Sequence, residues 1–408
     1  MTKKTDTPAI RFKGFSDTWE QRKLLEFGLA TGGTSIESEF SEDGVYKVIS
    51  IGSYSEDNVY RDQGIRAVRS DKTVNRILNK GDITMILNDK TASGNIIGRV
   101  LLIEESGVYV YNQRTERIEV DNSNYDSQFI YTMLNAPAIR DRIIKQSQGN
   151  TQIYVNWTTI SQTDYLVPQF SEQRKIGEYF ANLDHLITLH QREYEKLHNI
   201  KKSMLEKMFP KNGSNVPEIR FKGFTEAWEQ RKLGDVVQIT MGQSPDGSTY
   251  SDEPSDYILV QGNADLQNGW VCPRIWTTQI TKKADAGDLI MSVRAPAGAM
   301  GKTAYNAVIG RGVAAIKGNE FIYQLLVKMD ADGFWKILSC GSTFESLNSE
   351  NIKNAEVKIP TTAEQIKIGG YFQQLDHLIT LHQRELEKLQ NIKKSMLEKM
   401  FVSEEKRK

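Results

Sequence analysis

Apolar residues recur at helical spacing in two long stretches of the chain. From Leu183 to Met208, alternating steps of four and three residues fall mainly on apolar or aromatic side chains, and the same steps recur from Leu375 to Met400. Such a stripe predicts an amphipathic helix whose apolar face needs a partner. We therefore predict two long helices that pack against each other along an apolar seam. The predicted seam residues are Leu183, Ile187, Leu197, Met204, Leu375, Ile379, Leu389 and Met396.

The segments that precede these helices have a different pattern. Short β-type runs at 45–51, 82–87 and 100–105, and again at 256–262 and 288–293, alternate with Gly, Asn and Asp turn signals. Apolar residues at helical spacing predict a further helix over 126–147, apart from Pro137. Each segment thus predicts a compact α/β domain. The predicted boundaries are 1–170 for the first domain, 171–210 for a central helix, 211–362 for the second domain and 363–408 for a C-terminal helix.

The chain is an internal repeat. Residues 183–209 and 375–401 are identical at 25 of 27 positions, and 10–24 closely matches 219–233. The segments between these matches differ, although common landmarks keep the same order and the second segment is 17 residues shorter. A constant frame that carries two variable inserts favours modular recognition by loops. The plainer alternative is a pair of helices, each packed on its own domain.

Composition is that of an ordinary globular protein of 408 residues. No apolar run approaches the roughly 20 residues that span a bilayer, and the N-terminal sequence lacks the apolar core of a signal peptide. Cys272 and Cys340 lack metal-site spacing, which predicts reduced thiols in a cytoplasmic protein with no membrane partner.

Formal net charge is zero, but basic residues are concentrated in each variable segment. Residues 60–99 carry eight basic and four acidic side chains, and residues 267–318 carry seven and two. Local excesses of this kind suit phosphate binding, although they are also common on solvated surfaces.

Sequence signatures of catalysis are missing. All five histidines lie in the two helices, which argues against His-based or zinc chemistry in the domains. The stretch 297–303 resembles a phosphate loop, but Pro296 stands where the motif requires glycine. There is no dinucleotide fingerprint and no Asn-Pro-Pro-aromatic signature of amino-methyltransferases. We therefore expect no catalysis, no metal and no cofactor on this chain.

The remaining chemistry is recognition by side chains that can contact base edges, since Arg suits guanine, Asn and Gln suit adenine, and Ser and Thr suit either. The candidate DNA-binding residues are Thr34, Ser35, Asn88, Lys90, Arg99 and Arg114 in the first domain, and Gln243, Ser244, Asn263, Arg294, Lys302 and Arg311 in the second.

Several motifs together resemble one family. They are the RFKGF and WEQRKL segments near 10–24 and 219–233, the turn with Gly242 and Ser244, the GST strip at 341–343, the EQ-x-KIG segments at 172–177 and 364–369, and the LD-x-LITLHQR helices. Taken together, they resemble the specificity subunit of a type I restriction–modification system. The resemblance covers nearly the whole chain.

This resemblance implies two target-recognition domains separated by two long antiparallel helices. Each domain would read one half of a split, asymmetric double-stranded DNA target, and the helices would fix the unread spacer. A 27-residue helix is about 40 Å long, comparable to one DNA turn of about 34–36 Å. Two modification subunits would bring S-adenosylmethionine and methylate adenine, and two motor–nuclease restriction subunits would use ATP and Mg²⁺.

Two alternatives remain open. One is a coiled-coil scaffold that binds proteins and has no DNA specificity. The other is a self-contained methyltransferase–nuclease, against which the missing cofactor motifs count.

Overall fold

The chain folds as a repeat of two α/β domains with two long helices. The computed structural model describes residues 7–90, 93–211, 213–339 and 346–401, so Cys340 and the strip 341–343 lie outside the described residues. Two compact units are present, one of Met1–Leu189 with Leu386–Lys408 and one of His190–Glu385. Each unit contains one α/β domain and part of both long helices. The predicted fold class is confirmed.

The described residues of the first domain and its helix form eleven strands and five helices. The strands are β1 (Glu20–Lys23), β2 (Gly28–Gly32), β3 (Tyr46–Ile49), β4 (Arg66–Ala67), β5 (Ile83–Ile86), β6 (Asn88–Asp89), β7 (Val100–Leu102), β8 (Tyr109–Tyr111), β9 (Thr115–Val120), β10 (Ile153–Tyr154) and β11 (Asp164–Val167). The helices are α1 (Asp71–Val74), α2 (Ser127–Asn135), α3 (Pro137–Ile144), α4 (Trp157–Ile160) and α5 (Phe170–Lys207).

The second domain repeats this order with extra strands. Its strands are β12 (Glu229–Lys232), β13 (Gln238–Met241), β14 (Tyr250–Ser251), β15 (Tyr257–Val260), β16 (Leu266–Gln267), β17 (Trp270–Val271), β18 (Ile275–Thr277), β19 (Lys283–Ala284), β20 (Leu289–Ser292), β21 (Met300–Lys302), β22 (Ala307–Ile309), β23 (Val313–Lys317) and β24 (Glu356–Ile359). Its helices are α6 (Leu233–Val236), α7 (Glu320–Ala331), α8 (Phe334–Ser339), α9 (Ser349–Lys353) and α10 (Thr362–Lys399).

The sheets show the repeat directly. The antiparallel order β2-β9-β5-β7 in the first domain recurs as β13-β23-β20-β21 in the second, where β17 and β16 extend it. A parallel pair, β3 with β8, recurs as β15 with β22. The pairs β1–β11 and β12–β24 connect the start of each domain to the strand that precedes its long helix.

The predicted helix over 126–147 is two helices. Helix α2 ends at Asn135, Ala136 is extended, and α3 begins with Pro137 as its first residue. Proline lacks a backbone N–H and disfavours helical backbone in the residue before it, but it suits the first turn of a new helix. The single proline therefore divides one apolar stripe into two helices.

Each domain core is completed by the end of the other repeat's helix. Phe401, which follows α10, is buried in the first unit with its ring centroid 5.9 Å from Phe129 and 6.1 Å from Phe180. Phe209, which follows α5, is buried in the second unit, 5.4 Å from Phe321 and 6.1 Å from Phe372. Each helix thus starts on its own domain, as the plainer alternative had it, but ends in the core of the other unit.

The RFKGF segments fasten these helix termini. The guanidinium of Arg11 donates two hydrogen bonds to the carboxylate of Glu172, in the first turn of α5, at 2.7 and 2.8 Å. The neighbouring Ile10 N–H donates to the carbonyl of Lys399, the last residue of α10, at 3.1 Å. The second unit repeats both contacts, with Arg220 on Glu364 and Ile219 on the carbonyl of Lys207. This explains why the short segments recur with the helices.

The two long helices contact each other within each unit. In the first unit, Leu183 shares a hydrophobic cluster with Leu389 and Met396, and in the second, Leu375 shares one with Leu197 and Met204. Ile187 is half-buried and Ile379 is buried. Reciprocal ion pairs accompany these contacts, between Lys393 and Asp184 at 2.5 Å and between Lys201 and Asp376 at 2.6 Å.

His190 and His382 occupy equivalent positions of the repeat, 192 residues apart, and contact each other. Their Nδ1 atoms are 3.0 Å apart in the second unit. Because Leu183 in the first half of α5 packs with Met396 near the end of α10, and Leu375 packs with Met204 in the same way, the two helices run antiparallel.

Within the described part of the chain, no helix is both long enough and apolar enough to cross a membrane.

Candidate nucleic-acid interface

Three loops meet at one edge of the antiparallel sheet in each unit. In the first unit they follow β2, β5 and β8, and two backbone hydrogen bonds join them, from Gly33 N to Thr115 O at 2.8 Å and from Leu87 N to Arg114 O at 2.9 Å. The second unit has the matching bonds from Gly242 N to Val313 O and from Val293 N to Gly312 O. The same edge therefore exists twice, with different side chains.

Glycine is required where the first loop crosses the third. A Cβ on Gly33 would lie 2.1 Å from the carbonyl oxygen of Asn112, and a Cβ on Gly242 would lie 2.1 Å from that of Gly310. Both distances are far inside van der Waals contact, so any larger residue would push the two loops apart. This close approach explains the glycine landmark that both repeats share.

The first unit places Thr34, Asn88 and Arg114 at this edge. With its amide oxygen facing Arg114, Asn88 accepts from Arg114 Nη1 at 2.6 Å. Arg114 is exposed and has a left-handed backbone, with φ of 67°. Non-glycine residues rarely adopt this conformation, and such strain is concentrated at functional sites.

Arg76, which is not among the candidate DNA-binding residues predicted from the sequence, holds the same edge in place. Its guanidinium donates to the carbonyl of Gly32 at 2.7 Å and to the Thr34 hydroxyl at 3.0 Å, and it lies over the Tyr111 ring at 5.2 Å. These contacts hold the loop that carries Thr34 and the exposed Ser35. Arg76 is 42 residues from Thr34 in the sequence, so no local motif could have indicated it.

The second unit places Gln243, Ser244 and Arg311 at its edge. The Arg311 N–H donates to the Ser244 hydroxyl at 3.2 Å, and the Thr281 hydroxyl donates to the carbonyl of Gln243. The side chains of Gln243 and Arg311 are exposed, so both can contact a ligand. Asn263 begins a short 3₁₀ turn two residues after Gln261, whose Cα would lie 3.4 Å from a Cβ on Gly310.

The strand register shows which residues of the two sheets are equivalent. Thr115 and Val313 hold the same place in the repeated sheet, because each accepts from the crossing glycine. Gly312 is therefore the counterpart of Arg114, and Arg311 is the counterpart of Gln113. The two arginines lie at the same edge but one position apart.

The remaining candidate DNA-binding residues are partly engaged by other residues of the chain. Lys302 is held by Glu320 at 3.0 Å, between the rings of Trp270 and Tyr323. Arg99 donates to the Asn95 carbonyl and to Asn58, and burial lowers its pKa. Lys90 and Arg294 are exposed in the loops after β5 and β20. Lys302 and Arg99 thus have internal partners that a DNA contact would need to compete with.

The loop after β5 accounts for part of the length difference between the domains. Met85 pairs with Val100 across the first hairpin, while Met291 pairs with Met300 in the second. The first hairpin is therefore six residues longer, and it carries Asn88, Lys90 and Arg99.

Glu116, on β9, is a further polar group near the edge of the first unit. Its side chain is nearly buried, and burial raises its pKa to about 7, which the nearby Arg76 partly opposes. In the described ranges, no group of three or more His, Cys, Asp or Glu side chains is arranged to hold a metal ion.

Comparison with known proteins places this architecture. The family model for the type I restriction modification DNA specificity domain matches residues 16–199 and 225–391. A protein of Methanocaldococcus jannaschii, assigned as the MjaX type I restriction enzyme specificity subunit, is 28% identical over 272 residues, or 64% of this chain. That match spans 62% of the relative's length. The MjaVIII specificity subunit of the same organism is 21% identical over 79% of this chain and 78% of its own.

A solved structure gives the same fold. The type I restriction–modification S subunit from M. genitalium superposes with a TM-score of 0.70 at 15% identity, over 97% of this chain and 99% of its own. With the two repeats of the family model covering most of the residues, the chain belongs to the type I restriction–modification DNA specificity family.

Proposed function

We propose that this chain is the DNA-recognition subunit of a type I restriction–modification complex and that each domain reads one half of a split, asymmetric target. The observation that carries the proposal is the duplicated loop edge, which keeps its backbone contacts while its side chains change. Thr34, Asn88 and Arg114 at one edge and Gln243 and Arg311 at the other are groups that can read base edges in the major groove. Different side chains on one frame suit two different half-sites.

The long helices would fix the unread spacer between the half-sites. Each runs for 38 residues, or about 57 Å, longer than one DNA turn of about 34–36 Å. The spacer length would follow from the length of these helices.

The same helices would dock two copies of one modification subunit. Leu186 and Leu189 on α5 are each 42% exposed, and their counterparts Leu378 and Leu381 on α10 are 41% and 48% exposed. Apolar side chains left in water at equivalent places suit a protein contact. Since the patches are identical in sequence, they fit two copies of the same partner.

The chemistry would belong to the partners. The modification subunits would hold S-adenosylmethionine and methylate adenine, and two restriction subunits would use ATP and Mg²⁺. Partners that supply further phosphate contacts would also account for the zero net charge of this chain.

A genome-wide map of N6-methyladenine tests recognition. Cells that carry the cognate modification subunit are compared with and without this chain, and a new split motif is expected only when the chain is present. In that background, Arg114→Ala should relax one half of the motif and Arg311→Ala the other, because a lost arginine–guanine contact costs about 1–3 kcal/mol of discrimination. Absence of any motif, with the complex assembled, would favour a protein scaffold without DNA specificity.

Native mass spectrometry tests docking. Leu186→Glu with Leu189→Glu should reduce the bound modification subunits from two to one, and adding Leu378→Glu with Leu381→Glu should remove both. Leu25→Glu is the matched control, since Leu25 is 41% exposed but lies in a short 3₁₀ helix, outside the two long helices. Unchanged stoichiometry in the fourfold variant would move the docking surface elsewhere.

A further inference from the structure

We propose that Glu116 makes the DNA surface of the first domain proton-sensitive, so that DNA binding there is coupled to uptake of a proton by Glu116. This inference rests on the proposed DNA recognition and adds a residue that the sequence did not indicate.

The position of Glu116 is the first observation. It lies on β9, paired with Gly32 across one neighbouring strand and with Met85 across the other. Its Oε2 atom is 3.3 Å from where a Cβ on Gly32 would stand. Gly32 leads directly into the loop that carries Thr34 and Ser35, so the carboxyl group lies just beneath the candidate DNA edge.

The surroundings of Glu116 are the second observation. The residue is only 5% exposed. Among the described residues, its carboxylate has no ion pair, and the charged group that acts on it is Arg76. Gly32 and Met85 do not titrate. A buried carboxylate without a partner is costly when ionised, which explains a pKa raised to about 7 by burial.

Bound DNA would raise this pKa further for three reasons that act in the same direction. The phosphates add negative charge, the covered surface loses water, and Arg76 gains phosphates as competing partners. The bound complex therefore holds the proton to a higher pH than the free complex does. By linkage, affinity falls as pH rises above about 7.

The second domain provides an internal comparison. In the repeated sheet, Met291 pairs with Ala314 as Met85 pairs with Glu116. The second domain thus has an alanine at the equivalent position, and only the first half-site is expected to be linked to this proton.

The test uses the whole complex of this chain with its modification subunits and a duplex that carries the mapped target. Titration calorimetry in two buffers of different ionisation enthalpy counts protons, and we expect net uptake near neutral pH. At fixed salt concentration, the Kd should rise about five-fold between about pH 7 and about pH 8.5. One linked proton can change the Kd by at most about tenfold per pH unit, so this change is within the limit. Glu116→Gln should remove both effects, and Glu119→Gln, exposed on the same strand, should keep them.

The outcomes separate the two proposals. Equal proton uptake by wild type and Glu116→Gln would overturn the role of Glu116. So would a DNA affinity that rises with pH, which is expected if an ionised carboxylate accepts a hydrogen bond from a base amino group. Either result leaves the proposed DNA recognition unaffected. Loss of target preference at every pH would instead overturn the proposed function. The wild-type proton count needs no variant, so a folding defect in Glu116→Gln would not decide the result.

Discussion

Arg11 and Glu172 form a two-point ion pair in which the carboxylate is fully buried and the guanidinium is 13% exposed. Arg220 and Glu364 repeat it in the second unit. Hydrogen bonding to Glu172 raises the pKa of Arg11. Each pair joins the start of a long helix to a segment 161 or 144 residues away. These pairs fix the chain where the domain and the helices meet.

Removing one partner of this pair should be costly. Arg11→Met leaves a buried carboxylate without its counter-ion, and we expect a loss of about 3 kcal/mol in the free energy of unfolding, measured by urea denaturation. Arg22→Met is the control, because its ion pair with Glu20 is exposed and should cost less than about 1 kcal/mol. Equal losses in the two variants would contradict the burial argument.

Because each long helix ends in the core of the other unit, a mutation at a helix end should act on that other unit. Phe401→Ala should open a cavity in the first unit and lower its free energy of unfolding by about 3–5 kcal/mol, although Phe401 belongs to the second repeat. Hydrogen exchange should therefore quicken around Phe129 and Phe180 and remain unchanged around Phe321 and Phe372. Phe209→Ala should give the reverse pattern. If Phe401→Ala instead quickened hydrogen exchange around Phe321 and Phe372, the packing of Phe401 in the first unit would be refuted.

Charged residues on the helix seam should disrupt recognition. Leu197→Asp with Leu389→Asp places a carboxylate in each of the two clusters that the helices share, and burying an unpaired charge is strongly unfavourable. We expect target-specific methylation to be abolished because the domains are misplaced. The methylation map checks this, and unchanged methylation in the double variant would refute the spacer role of the helices.

The sequence could predict whatever recurs with a short period or twice along the chain. The helix stripe and the strand runs belong to this class, which is why the sequence alone predicts the long helices and the α/β domains. It could not predict contacts that depend on how distant segments meet. Arg76 reaches Thr34 only after folding, and Phe401 could equally have packed on its own repeat.

The counterpart of Arg114 in the second domain could not be predicted for a related reason. Counting from a shared segment cannot locate a difference of a few residues inside a loop, whereas strand register can. The hydrogen bonds of Thr115 and Val313 assign Gly312, not Arg311, to the place of Arg114.

We expect the backbone conformation of Arg114 to lower the folding stability of the first unit, while its side chain serves DNA recognition. Its left-handed backbone, with φ of 67°, costs about 1 kcal/mol relative to glycine. Arg114→Gly should therefore stabilise the first unit by about 1 kcal/mol and weaken its half-site reading. Arg114→Ala should weaken reading equally without the gain, because alanine keeps the strain. A melting temperature that is the same for both variants would show that the backbone is not strained.

Glu116 should affect folding stability as well, independently of DNA. The unfolded chain releases this proton near its ordinary pKa of 4.5, while the folded chain keeps it until about pH 7. Between these values the folded state binds more protons, so this residue's contribution to stability falls as pH rises through that window and is constant above it. Glu116→Gln should remove the effect and be more stable than wild type by about 3 kcal/mol near pH 8, because the pKa is raised from 4.5 to about 7 and each unit corresponds to about 1.4 kcal/mol. Near pH 5 the difference should be about 1 kcal/mol or less. Urea denaturation at the two pH values measures it, and a difference of the same size at both would show that Glu116 acts through packing and not through ionisation.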